Sequence, residues 1–395
     1  MINVALLGFG TVGTGVAEVL TMNRELIAQR VGQQVELKYI LVRRDYPGSP
    51  YQDRFVRDFS FIEDDPEVDV VVEVMGGVGA ALDYTVRALK AGKSVVTSNK
   101  ELVASRGCEL LQLAREKGVS YLFEASVGGG IPVLRPLTNC LAGNEISQIS
   151  GILNGTTNYI LTRMIRAGLT FEQALAEAQE LGYAEKDPTA DVDGHDACRK
   201  ICILADLAYG RNVDPAQVPT QGIRGVALED VSYAESCGCR IKLLGRAIRQ
   251  GDKVCAYVAP HLVPDSDPLA GVEDVFNAIA VTGNAVGDVM FYGRGAGKLP
   301  TASAVVGDII DIARDPKRDR RNRWTEGGAE LLASPAQLVC RWYVRADAAP
   351  AGTQLLSRDN APEGEKAFLT APMNGEQLEQ LLAGLEVRSL FRVLE

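Results

Sequence analysis

Residues 182–200, GYAEKDPTADVDGHDACRK, place two carboxylates and an ammonium where they could work on a carbonyl. Asp196 and Lys200 lie four residues apart, on one face of a helix, and Glu185 lies on the polar loop ahead of them. The carboxylates suit the positive amino group of a substrate. The lysine beside them suits a proton that moves as a hydroxyl and a carbonyl interconvert. On spacing alone the same pair also reads as an exposed ion pair, worth about 0.3–0.5 kcal/mol. A second lysine, Lys100, follows Ser98 and Asn99. A cation is disfavoured at a helix start, so Lys100 points to an anion or a reacting oxygen nearby, or else is a plain surface lysine.

The run GFGTVG at 8–13 directly follows the apolar Val4, Ala5, Leu6 and Leu7. In this order Gly8 makes the tight turn, Gly10 lets the backbone approach a pyrophosphate, and Gly13 lets the next helix pack close. That helix aims its free N–H groups at the anion. An ordinary strand–helix turn is the alternative. The residue closing the second strand reads the adenosine ribose in such folds, an acid for NAD and an arginine for NADP. Here the strand ends Leu41, Val42, Arg43, Arg44, Asp45. Arg43 sits at the reading position and favours NADP(H), with Arg57 a further basic candidate, while Asp45 keeps NAD(H) open.

These residues need elements to hold them. Strands are expected at 2–8, 35–42, 68–75, 94–98 and 119–125, and helices at 11–30, 79–91 and from 100 to about 117. The apolar run at 68–75, broken by a glutamate, suits a parallel strand covered on both faces. This alternation predicts a doubly wound α/β sheet, with Ser98 and Lys100 at its carboxyl edge. FEASVGGGIP at 123–132 is a hinge or a plain flexible linker. Beyond it come a helix near 132–142, a strand, turn and helix at 150–161, and an amphipathic helix at 171–181. Asp193 is a natural N-cap for a helix to Tyr209 whose stripe is Ala197, Ile201, Leu204, Ala205 and Ala208. Strand-like segments follow at 239–248 and 253–261. A second glycine-rich turn, containing Gly297, enters a helix at 293–313 expected to return to the first domain. The tail reads strand (339–346), loop, strand (366–370), helix (375–384) and strand (389–394).

The chain has 395 residues, 46% of them hydrophobic, which is too long for one typical domain. A net charge of −10 argues against general nucleic-acid or membrane-surface binding. No apolar run is long enough to span a bilayer, and no leader precedes the first strand, so a cytoplasmic protein is expected. The eight cysteines are scattered and only His195 and His261 could join them, so buried reduced thiols are expected rather than a zinc site.

GFGTVG, TSNKELVA, FEASVGGGIP, SGILNGTTNYIL, GYAEKDPTADVDGHDACRK and GRGAGKLPTASAVVGDI occur in this order, and residues 1 to about 315 thereby resemble homoserine dehydrogenases. The resemblance implies NAD(P)H-dependent reduction of L-aspartate 4-semialdehyde to L-homoserine, on the route to threonine, methionine and isoleucine. It implies Lys200 as proton donor, with Lys100 beside cofactor and substrate. Glu185 and Asp196 would hold the substrate's amino end, and Thr156, Tyr183 and Asp191 match other substrate-side positions. Gly8, Gly10, Thr11, Val12, Gly13, Arg43, Ser98, Lys100 and Gly297 fall on the cofactor side. A monovalent cation, usually sodium, would be held near the hinge at Glu124, Val127, Gly129 and Ile131, mostly through backbone carbonyls. The implied organisation is a Rossmann domain over 1–130 plus about 296–315, an α+β substrate and dimerisation domain over 131–295, a linker over 316–338, and a small α+β unit over 339–395. Family members often end in a βαββαβ ACT-type domain. Here 348–366 is too short and polar for the usual helix and strand, so the unit is a shortened ACT-like one that suits dimer stabilisation at least as well as control by threonine. A homodimer is expected. Rival readings are another amino-acid-pathway reductase, disfavoured by the Glu185, Asp196 and Lys200 set, and a non-catalytic NAD(H)-sensing regulator, which should carry a basic DNA-binding face.

Overall fold

In the computed structural model, which describes residues 1–315 and 324–395, the apolar run Ile2–Leu7 is the first strand, β1. It is joined by β2 (Val35–Leu41), β3 (Phe55–Val56), β4 (Val68–Glu73), β5 (Ser94–Thr97) and β6 (Tyr121–Leu122) in the order β3-β2-β1-β4-β5-β6. Every pairing in this sheet is parallel. The strand order reverses between β1 and β4, which is where doubly wound sheets receive a ligand at their carboxyl ends. Apart from Asp69, β4 is buried along its whole length, as a strand covered on both faces must be.

The chain divides into two compact units. The first comprises Met1–Gly143, Asp206–Asn212 and Gly293–Glu326. Its core packs Val4, Leu6, Val16, Val70, Val72 and Val96 with Ala302, Val305 and Ile309 of the helix Lys298–Arg314. β3 and the helix Ser60–Glu63 were not expected, and three expected elements differ. The helix expected at 11–30 is two helices, Thr11–Met22 and Arg24–Val31, broken at Asn23. The strand expected at 119–125 shrinks to β6, followed by a 3₁₀ turn at Glu124–Ser126. The helix expected near 132–142 is reduced to a short stretch ending in the π-helical turn Pro136–Cys140, because Pro132 and Pro136 lack the amide donors a regular helix needs.

The second unit comprises Asn144–Ala205, Val213–Tyr292 and Gly327–Glu395. Its strands are β7 (Ile146–Ile152), β8 (Cys239–Gln250), β9 (Lys253–Pro264), β10 (Phe276–Gly283), β11 (Gly287–Arg294), β12 (Trp342–Ala346), β13 (Gln354–Leu356), β14 (Lys366–Leu369) and β15 (Val387–Val393). They form one sheet in the order β11-β10-β7-β8-β9-β15-β12-β14-β13. β10, β11 and the helix Leu228–Ser236 lie outside the elements expected from the sequence. The tail at 339–395 is not the separate unit expected from the sequence: β15 pairs parallel with β9 through Arg392↔His261 and Val393↔Leu262 and continues the same sheet. Its loop at 348–366 carries the strand β13, which pairs with β14, but no helix.

Of the expected linker, residues 316–323 lie outside the described residues. The remainder of the linker is anchored: Trp324 is buried and meets Phe123 edge-on at 5.7 Å between ring centroids, and Ala333 N donates to the Val254 carbonyl at 2.9 Å. All eight cysteines are free thiols, four of them buried, while Cys140 is exposed, against the expectation that all are buried. No described helix is long and apolar enough to cross a membrane.

Candidate active site

The glycine loop leaves β1 at Leu7 and enters the helix Thr11–Met22. Gly8 has a φ of +99°, a left-handed conformation that a side chain would strain, and its N–H donates to the Leu41 carbonyl at 3.1 Å. A Cβ on Gly13 would overlap the Gly8 carbonyl oxygen, so only glycine lets the helix start this close to the strand. Gly10 is different: its Cβ position faces open space, with no atom within 4 Å. Gly10 is also the N-cap, no side chain caps the helix, and its first turn holds no acid. Thr11 is exposed and Val12 packs against the core. An open backbone cradle beneath uncapped amides fits a pyrophosphate.

Arg43 is exposed just past β2 and has no ion pair among the described residues. Asp45, the acidic alternative, is ion-paired with Arg57, and Arg44 donates to the Tyr46 hydroxyl at 3.2 Å. Ser98 and Lys100 are half-buried at the carboxyl end of β5. Between them Asn99 caps the helix Lys100–Lys117, its Oδ1 accepting from Leu102 N at 3.1 Å and its Nδ2 donating to the Gly77 carbonyl at 2.6 Å. Gly297 is the N-cap of Lys298–Arg314, with a φ of +122°.

Glu124, Val127, Gly129 and Ile131 are all buried in the first unit. The Glu124 carboxylate accepts from Val133 N at 2.7 Å, Leu134 N at 2.9 Å and Arg135 N at 2.8 Å. Burial pushes its carboxyl up, against those amides and Arg135, which hold it down. A Cβ on Gly129 would overlap the Gly295 carbonyl. Asp308, which the sequence reading did not single out, accepts from Glu124 N at 2.9 Å and pairs with Arg135. Burial, with the Glu124 carboxylate nearby, pushes Asp308 up to about 7, opposed by Arg135.

In the second unit Lys200 and Asp196 sit on the helix His195–Tyr209, and both are buried, at 8% and 4% exposure. The exposed version of this pair is therefore ruled out. Lys200 Nζ donates to Asp196 Oδ2 at 2.7 Å and to the Leu153 carbonyl at 2.7 Å. Asn154 Nδ2 donates to Asp196 Oδ2 at 2.8 Å and to Asp191 Oδ1 at 2.7 Å. Asp191, Asp196 and Lys200, all expected from the sequence, thus meet at one place with Asn154, which was not. Thr156 Oγ1 donates to the Tyr183 carbonyl at 2.7 Å, and the exposed Tyr183 ring lies edge-on to Tyr159. Glu185 is exposed on its loop, and among the described residues it bonds none of the four. Asp193 does not cap the helix. It closes the short helix Thr189–Val192 and turns its carboxylate to Arg224 Nε at 2.5 Å. Asn154 escaped the sequence reading, although an asparagine directly ahead of Gly-Thr-Thr is an N-cap signal. Leu153 contributes a main-chain carbonyl and carried no signal at all.

A parallel sheet with a cofactor cradle, followed by a unit that buries a lysine among carboxylates, defines a nicotinamide-dependent oxidoreductase of the α/β class. Two family models match: "Homoserine dehydrogenase, NAD binding domain" over residues 8–124 and "Homoserine dehydrogenase" over 132–310. The homoserine dehydrogenase of Bacillus subtilis is 45% identical over 321 residues, covering 80% of this chain and 73% of that protein. The crystal structure of a homoserine dehydrogenase from Thiobacillus denitrificans superposes with a TM-score of 0.89 at 34% identity, covering 100% of this chain and 98% of that one. A hyperthermophilic archaeal homoserine dehydrogenase mutant, solved in complex with NADPH, gives a TM-score of 0.66 at 30% identity over 78% of this chain and 97% of that one. The chain belongs to the homoserine dehydrogenase family.

Proposed function

We propose that this enzyme reduces L-aspartate 4-semialdehyde to L-homoserine, reversibly and with NADPH in preference to NADH, on the route to threonine, methionine and isoleucine. The observation that carries the reading is the buried Lys200 ammonium. An ammonium has three N–H donors, and two are taken by Asp196 and the Leu153 carbonyl. The third is left for a substrate oxygen. Gly8, Gly10, Thr11, Val12 and Gly13, with Ser98 and Gly297, would hold a nicotinamide cofactor, which when bound would supply hydride chemistry for the aldehyde carbon. Lys200 stabilises the negative charge that develops on the aldehyde oxygen and gives it a proton, so that an alcohol leaves. Lys100 shares this task from the cofactor side. Glu185 and Asp196 hold the substrate's amino group, with Asp191, Thr156 and Tyr183 at other substrate-side positions.

NADPH preference rests on exposed Arg43 and on Asp45 being engaged by Arg57, and it agrees with the NADPH bound to the archaeal relative. A sodium ion at Glu124, Val127, Gly129 and Ile131 would be held by main-chain carbonyls, since the Glu124 carboxylate is committed to three amides. Such hard oxygen donors suit it. A cytoplasmic setting agrees with eight free thiols.

A homodimer formed through β11 is part of the reading. β11 is the last strand of its sheet among the described residues and exposes Met290 and Tyr292. An antiparallel copy centred on Phe291 would set Asp288 opposite Arg294 and Met290 opposite Tyr292, pairing opposite charges and apolar side chains. The tail at 339–395, a shortened ACT-like unit in this reading, serves stability more than threonine control. Absorbance at 340 nm tests the activity: homoserine should reduce NADP+ faster than NAD+, and a chain inert toward homoserine with both cofactors would refute it.

A further inference from the structure

We propose that Asn154 is the positioning residue that sets Asp196 and Lys200 for proton transfer. This rests on the reading of Lys200 as proton donor. Asn154 precedes the helix Gly155–Ala167 and caps it, Oδ1 accepting from Thr157 N at 2.8 Å. Its two N–H groups go to two carboxylates, Asp191 Oδ1 at 2.7 Å and Asp196 Oδ2 at 2.8 Å. Both amide N–H groups and one lone pair of the amide oxygen are thus engaged. The reverse orientation would turn its oxygen to both carboxylates and its N–H groups to another donor, so the network allows one orientation only.

Asp196 Oδ2 therefore takes two donors, Asn154 Nδ2 and Lys200 Nζ. Lys200 is gripped from its other side by the carbonyl of Leu153, the residue preceding Asn154. The two-residue bend at 153–154 thus holds the ammonium directly through its backbone and indirectly through the Asn154 side chain. The bend is itself fixed by β7 behind it and the helix ahead. The bridge between the two carboxylates is neutral. A lysine or arginine there would also hold them together, but would cancel the charge that a substrate ammonium needs. An amide orients both carboxylates and leaves both negative.

Asn154→Asp is the test. Aspartate caps a helix as well as asparagine does, so the helix start is kept while both donors become acceptors facing Asp191 and Asp196. We expect kcat for homoserine oxidation to fall about 100-fold, more than KM rises, because displacing a reacting group by about 1 Å costs that much. NADPH affinity should stay near wild type, while the thermal midpoint of the aspartate variant should fall, because a third carboxylate is then buried against Asp191 and Asp196. Asn154→Ser keeps a cap, removes the donors and adds no charge; it should lose about tenfold in kcat, and it carries the test if the aspartate variant fails to fold. A merely structural asparagine predicts normal kcat for both capping variants, and that result overturns the proposal. Lys200→Ala in the same assay separates the failures. If it stays active, the proton-donor reading falls; if it is dead while the Asn154 variants turn over normally, only the positioning role falls.

Discussion

Lys200 Nζ lies 2.7 Å from Asp196 Oδ2, one helical turn away, and both side chains are nine-tenths buried. An ion pair on a helix surface contributes little and costs little. A buried one carries a desolvation penalty that its mutual attraction only partly offsets, so it is a poor device for stability. Its retention beside two further polar groups fits a role in handling a charged substrate.

Replacing Lys200 by alanine should therefore abolish turnover and leave NADPH binding close to wild type. Initial rates at 340 nm and fluorescence titration of NADPH measure the two separately. Near-normal rates would transfer the proton to another group, Lys100 first.

Arg43 should govern the choice of cofactor. Arg43→Ala removes a bidentate partner of a 2′-phosphate, and kcat/KM with NADPH should drop by about tenfold or more, with the NADH value little changed. An unchanged NADPH to NADH ratio would place phosphate reading elsewhere on the loop at 43–57.

His261 predicts an acid-sensitive stability. It is fully buried, accepting from the Tyr257 hydroxyl at Nε2 (3.2 Å) and donating from Nδ1 to the Ala259 carbonyl (2.9 Å). Burial, with Arg246 and Arg392 nearby, lowers it to about 3 from an ordinary 6.5. Between those values the unfolded chain binds a proton that the folded chain refuses. Stability from this group is complete above pH 6.5 and is lost as pH falls toward 3, by about 1.4 kcal/mol per unit. Chemical denaturation from pH 7 to 4 should show a shallower slope for His261→Gln than for wild type. Parallel slopes would remove His261 as the cause.

Arg345 should be a keystone of the tail. Its guanidinium donates to Asp230 at 2.7 Å and to Glu365 at 3.2 Å, and Asp230 also accepts from Tyr343 at 2.9 Å and Ser389 at 2.8 Å. This buried cluster ties the helix Leu228–Ser236 to β12 and β15. Arg345→Met strands a buried carboxylate and should cost about 3–5 kcal/mol, seen as a large drop in thermal midpoint. A midpoint unmoved by the change would mean that Tyr343 and Ser389 suffice for Asp230.

The β11 edge should decide assembly. Met290→Lys places a charge on the exposed apolar face, and light scattering should then find monomers where wild type gives dimers. A dimer of unchanged strength would locate the interface on another surface.

Local pattern was enough for the glycine loop and for strands β1, β2, β4 and β5 of the nucleotide-binding half. Apolar runs such as 68–73, glycines at 8, 10 and 13, and the four-residue spacing of Asp196 and Lys200 are properties of neighbouring residues, and the chemistry they suggest can be read without a fold. Three features were decided only by tertiary structure. Lys200 is held by a carbonyl 47 positions earlier in the chain, and backbone acceptors have no side-chain signature. Asn154 became a bridge only when the loop at 182–194 folded over it. Among the described residues β11 and β13 are the two edge strands of their sheet and β10 pairs with β7, more than 120 positions earlier, so their pairing depends on partners that local pattern does not show. The tail's membership in the large sheet likewise hangs on two residue pairs between β15 and β9. Periodicity is a local quantity; strand pairing and the burial of an ion pair are not.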